Sequence, residues 1–176
     1  DVLVDQLHYS PCPLTRTCGP AMTASTKFML IGAIEAGKTS LLNALFNKNE
    51  AARKTQALEY EGCEGYAGCG VDTPGEYFSH PRYYSALINS ASDASTLVYV
   101  HAADREACRL PPGFLDIYAG KTVIGVITKT DLPDARTDAV EALLRAHGIA
   151  GTIYRISRDD HAALQTLHID SAHGDV

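Results

Sequence analysis

The run Gly32-Ala33-Ile34-Glu35-Ala36-Gly37-Lys38-Thr39-Ser40 constrains this chain more than any other, because of what stands on either side of it. Phe28-Met29-Leu30-Ile31 before it is an apolar run of strand length, and Leu41-Leu42-Asn43-Ala44-Leu45-Phe46 after it reads as the opening of a helix. Glycines at this spacing let successive backbone N–H groups turn inward around an anion, and the following helix brings the positive end of its dipole to the same place. An ordinary glycine-rich turn requires neither the strand nor the helix. The expectation is a phosphate loop: Gly32 to Ser40 line a nucleotide's phosphates, the Lys38 ammonium reaches the β- and γ-phosphates, and the Thr39 hydroxyl ligates Mg²⁺.

Two more segments turn the motif into a constellation. Asp72-Thr73-Pro74-Gly75 follows a short strand-like stretch; Asp72 is expected to hold the Mg²⁺ shell through water, and the Gly75 N–H to face the γ-phosphate. By itself such a run is a proline turn. Thr128-Lys129-Thr130-Asp131 follows the apolar Val123-Ile124-Gly125-Val126-Ile127, at the carboxyl end of a strand, where open α/β sheets place their ligands. The Asp131 carboxylate can accept both the N1–H and the N2 amino group of guanine, whereas adenine has an acceptor at N1 and no amino group at C2. Lys129 would lay its methylene stem along the base. A purine triphosphate with Mg²⁺, GTP before ATP, is the expected ligand.

The 176 residues, 45% hydrophobic, suffice for one domain with a real core. No run approaches a membrane span, and the first residues lack the basic-then-apolar order of a signal peptide, so a soluble intracellular protein with no membrane partner is expected. A net charge of −6 without any Lys/Arg-rich run argues against nucleic acid as a partner. The five cysteines, Cys12, Cys18, Cys63, Cys69 and Cys108, are an odd set that reads as reduced thiols. Cys12/Cys18 and Cys63/Cys69 share one spacing, wider than the two- to four-residue gaps usual in structural zinc sites, which disfavours a metal there.

Strand and helix signals alternate as in a parallel sheet covered on both faces. Strands are expected over 27–32, 56–60, a short run ending at Asp72, 95–102, 122–128 and 152–157, and helices over 38–47, 81–92, 135–147 and 160–168. The prolines and glycine at 111–113 leave only a short, interrupted helix between Asp104 and Tyr118. The glycine-rich stretch 61–70 is expected to be a hairpin turn. These signals predict an α/β sheet of about six mostly parallel strands with one antiparallel edge, in a domain over residues 26–170. Residues 1–25 read as a poorly ordered extension and 171–176 as a tail.

The run from Asp72 to Tyr84, with Arg53-Lys54-Thr55-Gln56 before it and Tyr99-Val100-His101-Ala102 after it, resembles the ethanolamine-utilisation P and propanediol-utilisation V proteins; the likeness covers most of Lys27 to Ser157. The aromatic-His-Pro-Arg segment after Gly75 carries it, because that segment is not generic to nucleotide-binding folds. The resemblance implies a three-layer, Ras-like P-loop NTPase. It also implies a place in the bacterial cytoplasm beside a microcompartment, with shell or enzyme proteins as partners. Members are usually described as GTP-binding, and some ethanolamine-linked ones as acetate kinases.

Carried over residue by residue, the resemblance makes Thr55 the hydroxyl that completes the Mg²⁺ shell, and puts Glu76 where many GTPases keep a water-orienting Gln. A carboxylate there would meet like-charge repulsion from the γ-phosphate. Ile34 places a branched side chain where an arginine finger would need room, so slow hydrolysis is expected. Thr128 replaces the usual Asn and has a shorter reach, and Ser157 is followed by Arg158 rather than the Ala whose N–H commonly meets guanine O6, which together soften base selectivity. A kinase acting on acetate would use Lys38, Mg²⁺ and an arginine on the acceptor carboxylate, with Arg82 foremost and Arg53 and His80 as alternatives. A scaffold that works without nucleotide is a third reading.

Overall fold

Phe28 and Leu30 point to one side of strand β1 (Thr26–Ile31), Met29 and Ile31 to the other, and all four are buried, so β1 must be covered on both faces. A computed structural model shows how. It describes residues 26–46, 59–61, 68–92, 94–108, 110, 113–157 and 160–172. The other strands are β2 (Glu59–Glu61), β3 (Gly68–Asp72), β4 (Thr96–Ala102), β5 (Thr122–Thr128) and β6 (Ile153–Arg155). They form one sheet in the order β2-β3-β1-β4-β5-β6. Every pairing is parallel except that of β2 with β3, the antiparallel edge expected from the sequence.

One face is covered by α1 (Lys38–Leu45) and α5 (His161–Ala172), whose Leu41, Leu42, Leu45, Leu164 and Leu167 pack with Phe28, Leu30, Val98, Val100, Ile124 and Val126. The opposite face carries α3 (Tyr84–Ala91) and α4 (Thr137–Ala146), with Leu87, Ala91, Val140 and Leu144 against Met29, Ile31, Leu97, Tyr99 and Ile127. The alternation of strand side chains thus divides the core into two, and the architecture is the three-layer α/β fold that was expected.

The helices depart from expectation in places. The helix expected over 81–92 is two pieces, a 3-10 turn at Pro81–Tyr83 and α3, and a short helix that was not expected, α2 (Gly75–Ser79), precedes it. Pro74 starts α2 by accepting the Tyr77 N–H at 2.9 Å, and His80, in extended conformation before Pro81, stops it. Between β4 and β5 the described residues hold a 3-10 turn at Leu115–Tyr118, in keeping with the short, interrupted helix expected, and the buried Leu110, Phe114 and Tyr118 supply the cover a longer helix would have given. The last helix runs to Ala172, two residues into the expected tail. The antiparallel register of Glu59 with Asp72 and Glu61 with Gly70 agrees with a hairpin, although residues 62–67 lie outside the described residues. Leu144 is fully buried on α4, away from the phosphate loop. Leu144→Ala should cost about 3 kcal/mol of stability, read from the midpoint of urea unfolding.

Candidate functional site

The loop from Gly32 to Gly37 leaves β1 and doubles back into α1. α1 begins on Gly37, which has no side chain to cap the first turn, and no acidic residue stands in that turn, so the helix dipole is not answered there by a charge of its own. The Lys38 side chain folds back and donates to the Gly32 and Ala33 carbonyls, at 3.0 and 2.9 Å. Lys38 is buried, and burial pulls its pKa down from 10.5 to about 8, against the opposing pull of the Asp72 charge.

Asp72 ends β3 directly beside β1, in register with Leu30. It is fully buried, and its Oδ2 accepts the Thr39 hydroxyl at 2.7 Å. Thr73 donates its hydroxyl to the Leu30 carbonyl at 2.7 Å and so pins the turn to β1. A Cβ on Gly75 would stand 2.6 Å from the backbone N and Cα of Ile34, so only glycine lets this turn lie against the phosphate loop. A hydroxyl and a carboxylate in contact are hard oxygen donors of the kind Mg²⁺ takes while keeping much of its water, and the donor set fits that ion.

On the other side of the loop, Thr128 at the end of β5 donates its hydroxyl to the Ala36 carbonyl at 2.6 Å, with the His101 carbonyl at 3.3 Å. The shorter reach expected of Thr is offset by a close approach: Gly37, at φ 90°, leaves the space into which the Thr128 side chain fits. Lys129 has a left-handed backbone, φ 58°, and its ammonium donates to Asp104 Oδ2 at 3.4 Å. Asp131 is exposed at the rim, and Ser157 is half-buried just after β6.

Lys38, Thr39, Asp72, Gly75, Thr128 and the loop from Gly32 to Gly37 are therefore joined by direct contacts. Ile34, Glu35 and Ser40 are exposed around them. Glu76 is half-buried in the first turn of α2. Arg82 and His80 lie beyond the other end of α2, both exposed. The Arg82 guanidinium sits 4.6 Å above the Tyr83 ring, and His80 meets the same ring edge-on. Arg53, Thr55 and Arg158 lie outside the described residues, as do Cys12, Cys18 and Cys63, and the Cys69 side chain is not described. Among the described residues no group of three or more His, Cys, Asp or Glu could hold a metal ion, and no helix is long and apolar enough to cross a membrane.

Sequence reasoning missed Thr73, His101, Asp104 and Arg105. His101 is buried, and its Nε2 donates to the Arg105 carbonyl at 2.9 Å, which leaves Nδ1 as the acceptor facing the Tyr99 hydroxyl at 3.5 Å. Burial holds its pKa below the usual histidine value, and His147 adds to this; the Arg105 carbonyl and Asp104 oppose it. The Tyr99 hydroxyl also touches Cys108 Sγ at 3.4 Å, and burial pushes Tyr99 up, with Cys108 adding to the shift. One signal for this group was available: Asp104-Arg105 follow the carboxyl end of the most buried strand.

Strand order, the strand–loop–helix at Lys38 and the polar ends of β3 and β5 define a Ras-like P-loop α/β domain. Residues 25–170 match the ethanolamine utilisation - propanediol utilisation (PduV-EutP) family, and the chain belongs to it. It is 45% identical over 141 residues to a "Probable acetate kinase EutP" of Salmonella typhimurium, covering 80% of this chain and 86% of that protein. It is 36% identical over 119 residues to the "Propanediol utilization protein PduV" of Citrobacter freundii, covering 67% and 75%. A likeness of 31% over 136 residues to the "Translation initiation factor IF-2" of Trichlorobacter lovleyi spans 70% of this chain but only 13% of the factor.

The lowered pKa of Lys38 fixes a stability dependence. The unfolded chain binds its proton up to 10.5 and the folded chain only up to about 8, so the cost of the buried charge is fully present below pH 8 and is relieved as pH rises to 10.5. Nucleotide-free Lys38→Met should lose this rise, so that its stability relative to the unmodified chain falls between pH 8 and 10.5 in urea titrations.

Proposed function

We propose that this chain binds a purine nucleoside triphosphate with Mg²⁺, GTP in preference to ATP, hydrolyses it slowly, and works beside ethanolamine or propanediol utilisation microcompartments in the bacterial cytoplasm, with shell or enzyme proteins as partners. Residues 26–170 are the nucleotide domain in this reading, with 1–25 and 171–176 as appendages. The observation that carries it is the contact of Thr39 Oγ1 with Asp72 Oδ2 at 2.7 Å, which joins the start of α1 to the end of β3 and brings together the hydroxyl that would ligate the ion and the carboxylate that would hold its shell through water. The Thr55 hydroxyl would complete the shell. When bound, Mg²⁺ would neutralise charge on the β- and γ-phosphates.

Lys38 would exchange two carbonyl oxygens for phosphate oxygens, regaining in charge-assisted hydrogen bonds what burial takes from it. Backbone N–H groups from Gly32 to Ser40 would hold the phosphates, and the Gly75 N–H the γ-phosphate. Asp131 would read the base edge, with Lys129 along its face and Ser157 beside it. Glu76 in the place of a water-orienting residue and the exposed Ile34 both favour slow turnover.

Calorimetry with Mg²⁺ and GTP or ATP tests the reading. Saturable uptake is expected, with GTP tighter, and Lys38→Ala should weaken it by about a hundredfold. No uptake of either nucleotide overturns it. Single-turnover GTP hydrolysis should lie well below the several turnovers per second of a partner-activated GTPase.

The printed name of the Salmonella relative favours a second reading, transfer of a phosphoryl group to acetate. It needs a cation for the acceptor carboxylate, and Arg82 would have to leave the Tyr83 ring to provide one. Hydroxylamine trapping of acetyl phosphate from ATP and acetate separates the two: a signal that Lys38→Ala and Arg82→Ala both abolish establishes the kinase, and no signal leaves the slow NTPase.

A further inference from the structure

Only two non-glycine residues among those described have positive φ: Glu35, at 63°, and Lys129, at 58°. One stands in the phosphate loop, the other in the loop expected to meet the base. Their side chains end on consecutive residues. Arg105 donates to Glu35 Oε2 at 3.1 Å, and Lys129 donates to Asp104 Oδ2 at 3.4 Å. The Asp104-Arg105 step is itself held from within: the Arg105 N–H donates to the Ala102 carbonyl at 3.1 Å, and its own carbonyl accepts from the buried His101 at 2.9 Å. One dipeptide thus bridges both loops of the candidate site.

Stability does not account for the Glu35–Arg105 pair. Its side chains are 61% exposed on Arg105 and 71% on Glu35, a setting in which ion pairs contribute little. Charge does account for it. A loop that receives a triphosphate presents N–H groups and an ammonium, and a carboxylate within it repels the same ligand unless a cation cancels it.

We propose that Arg105 is a positioning residue for polyphosphate binding: by pairing with Glu35 it cancels the one carboxylate of the phosphate loop and lets that loop accept a polyanion. The inference rests on the nucleotide-binding reading above. Because Arg105 acts through Glu35, its effect grows with the charge of the ligand and vanishes when Glu35 is neutral.

The test is calorimetry on the full chain with Mg²⁺ and GTP, GDP or GMP, at low and high salt, for the unmodified protein, Arg105→Gln, Glu35→Gln and the double variant. Arg105→Gln should weaken GTP binding about tenfold at low salt, GDP less and GMP least, with the loss shrinking as salt rises. Glu35→Gln and the double variant should both bind GTP about as tightly as the unmodified chain. The nucleotide-free melting temperature should be the same in all four, because both side chains are exposed. Unchanged GTP affinity in Arg105→Gln, a double variant no better than Arg105→Gln alone, or a lowered nucleotide-free melting temperature in Arg105→Gln each overturns the proposal and leaves the nucleotide reading standing. Failure of the unmodified chain to take up any nucleotide overturns both.

Discussion

An ammonium group buried in an α/β domain must find acceptors or lose its proton, and Lys38 shows how much structure that demand organises. It is met by two backbone carbonyls, Gly32 and Ala33, that turn inward only because the loop folds back over the start of α1. The demand is not fully met: a pKa drawn down from 10.5 to about 8 corresponds to roughly 3 kcal/mol against the charged form. A fold optimised for stability alone would have no reason to keep a lysine there. Strain of this kind, held in place by a well-packed surround, is what functional sites characteristically contain.

The surround is built on β1. It is the one strand that pairs in parallel with both β3 and β4, and its register sets Leu30 beside Asp72 and Ile31 beside Tyr99. Parallel strands end together, so the side chains at their carboxyl ends gather at one edge of the sheet. Two hydroxyls then convert neighbourhood into attachment, Thr73 on Leu30 and Thr128 on Ala36. The turn after β3 is thereby tied to β1, and the phosphate loop is tied to the end of β5.

Much of this was legible in the residues because it rests on local rules. β5 runs over Thr122–Thr128 as expected, since a buried parallel strand is a continuous apolar run, and α1 begins at Lys38 because the loop motif dictates where its helix starts. α2 was missed: five residues after a proline hold too little periodicity to be read, and Gly75-Glu76 looks like the rest of a turn. The bond from Thr128 to Ala36 was not legible for another reason. Its reach depends on how near Gly37 lies, a distance set by sheet packing and absent from the local sequence. Asp104 and Arg105 escaped notice on the same ground. Their partners, Lys129 and Glu35, are distant in the chain, and only the adjacency of β1, β4 and β5 brings them together.

The segment after Gly75 has a mechanical property of its own. Tyr77 and Tyr83 stack at 4.7 Å with planes 15° apart, across the break at His80 between α2 and the 3-10 turn, and the turn passes straight into α3. Tyr84 at the head of α3 is in turn wedged edge-on against Phe114 at 5.3 Å. The break at His80 is thereby bridged by a ring contact, and the segment is braced along its length, from Gly75 against the Ile34 backbone to Ala91 in the buried core.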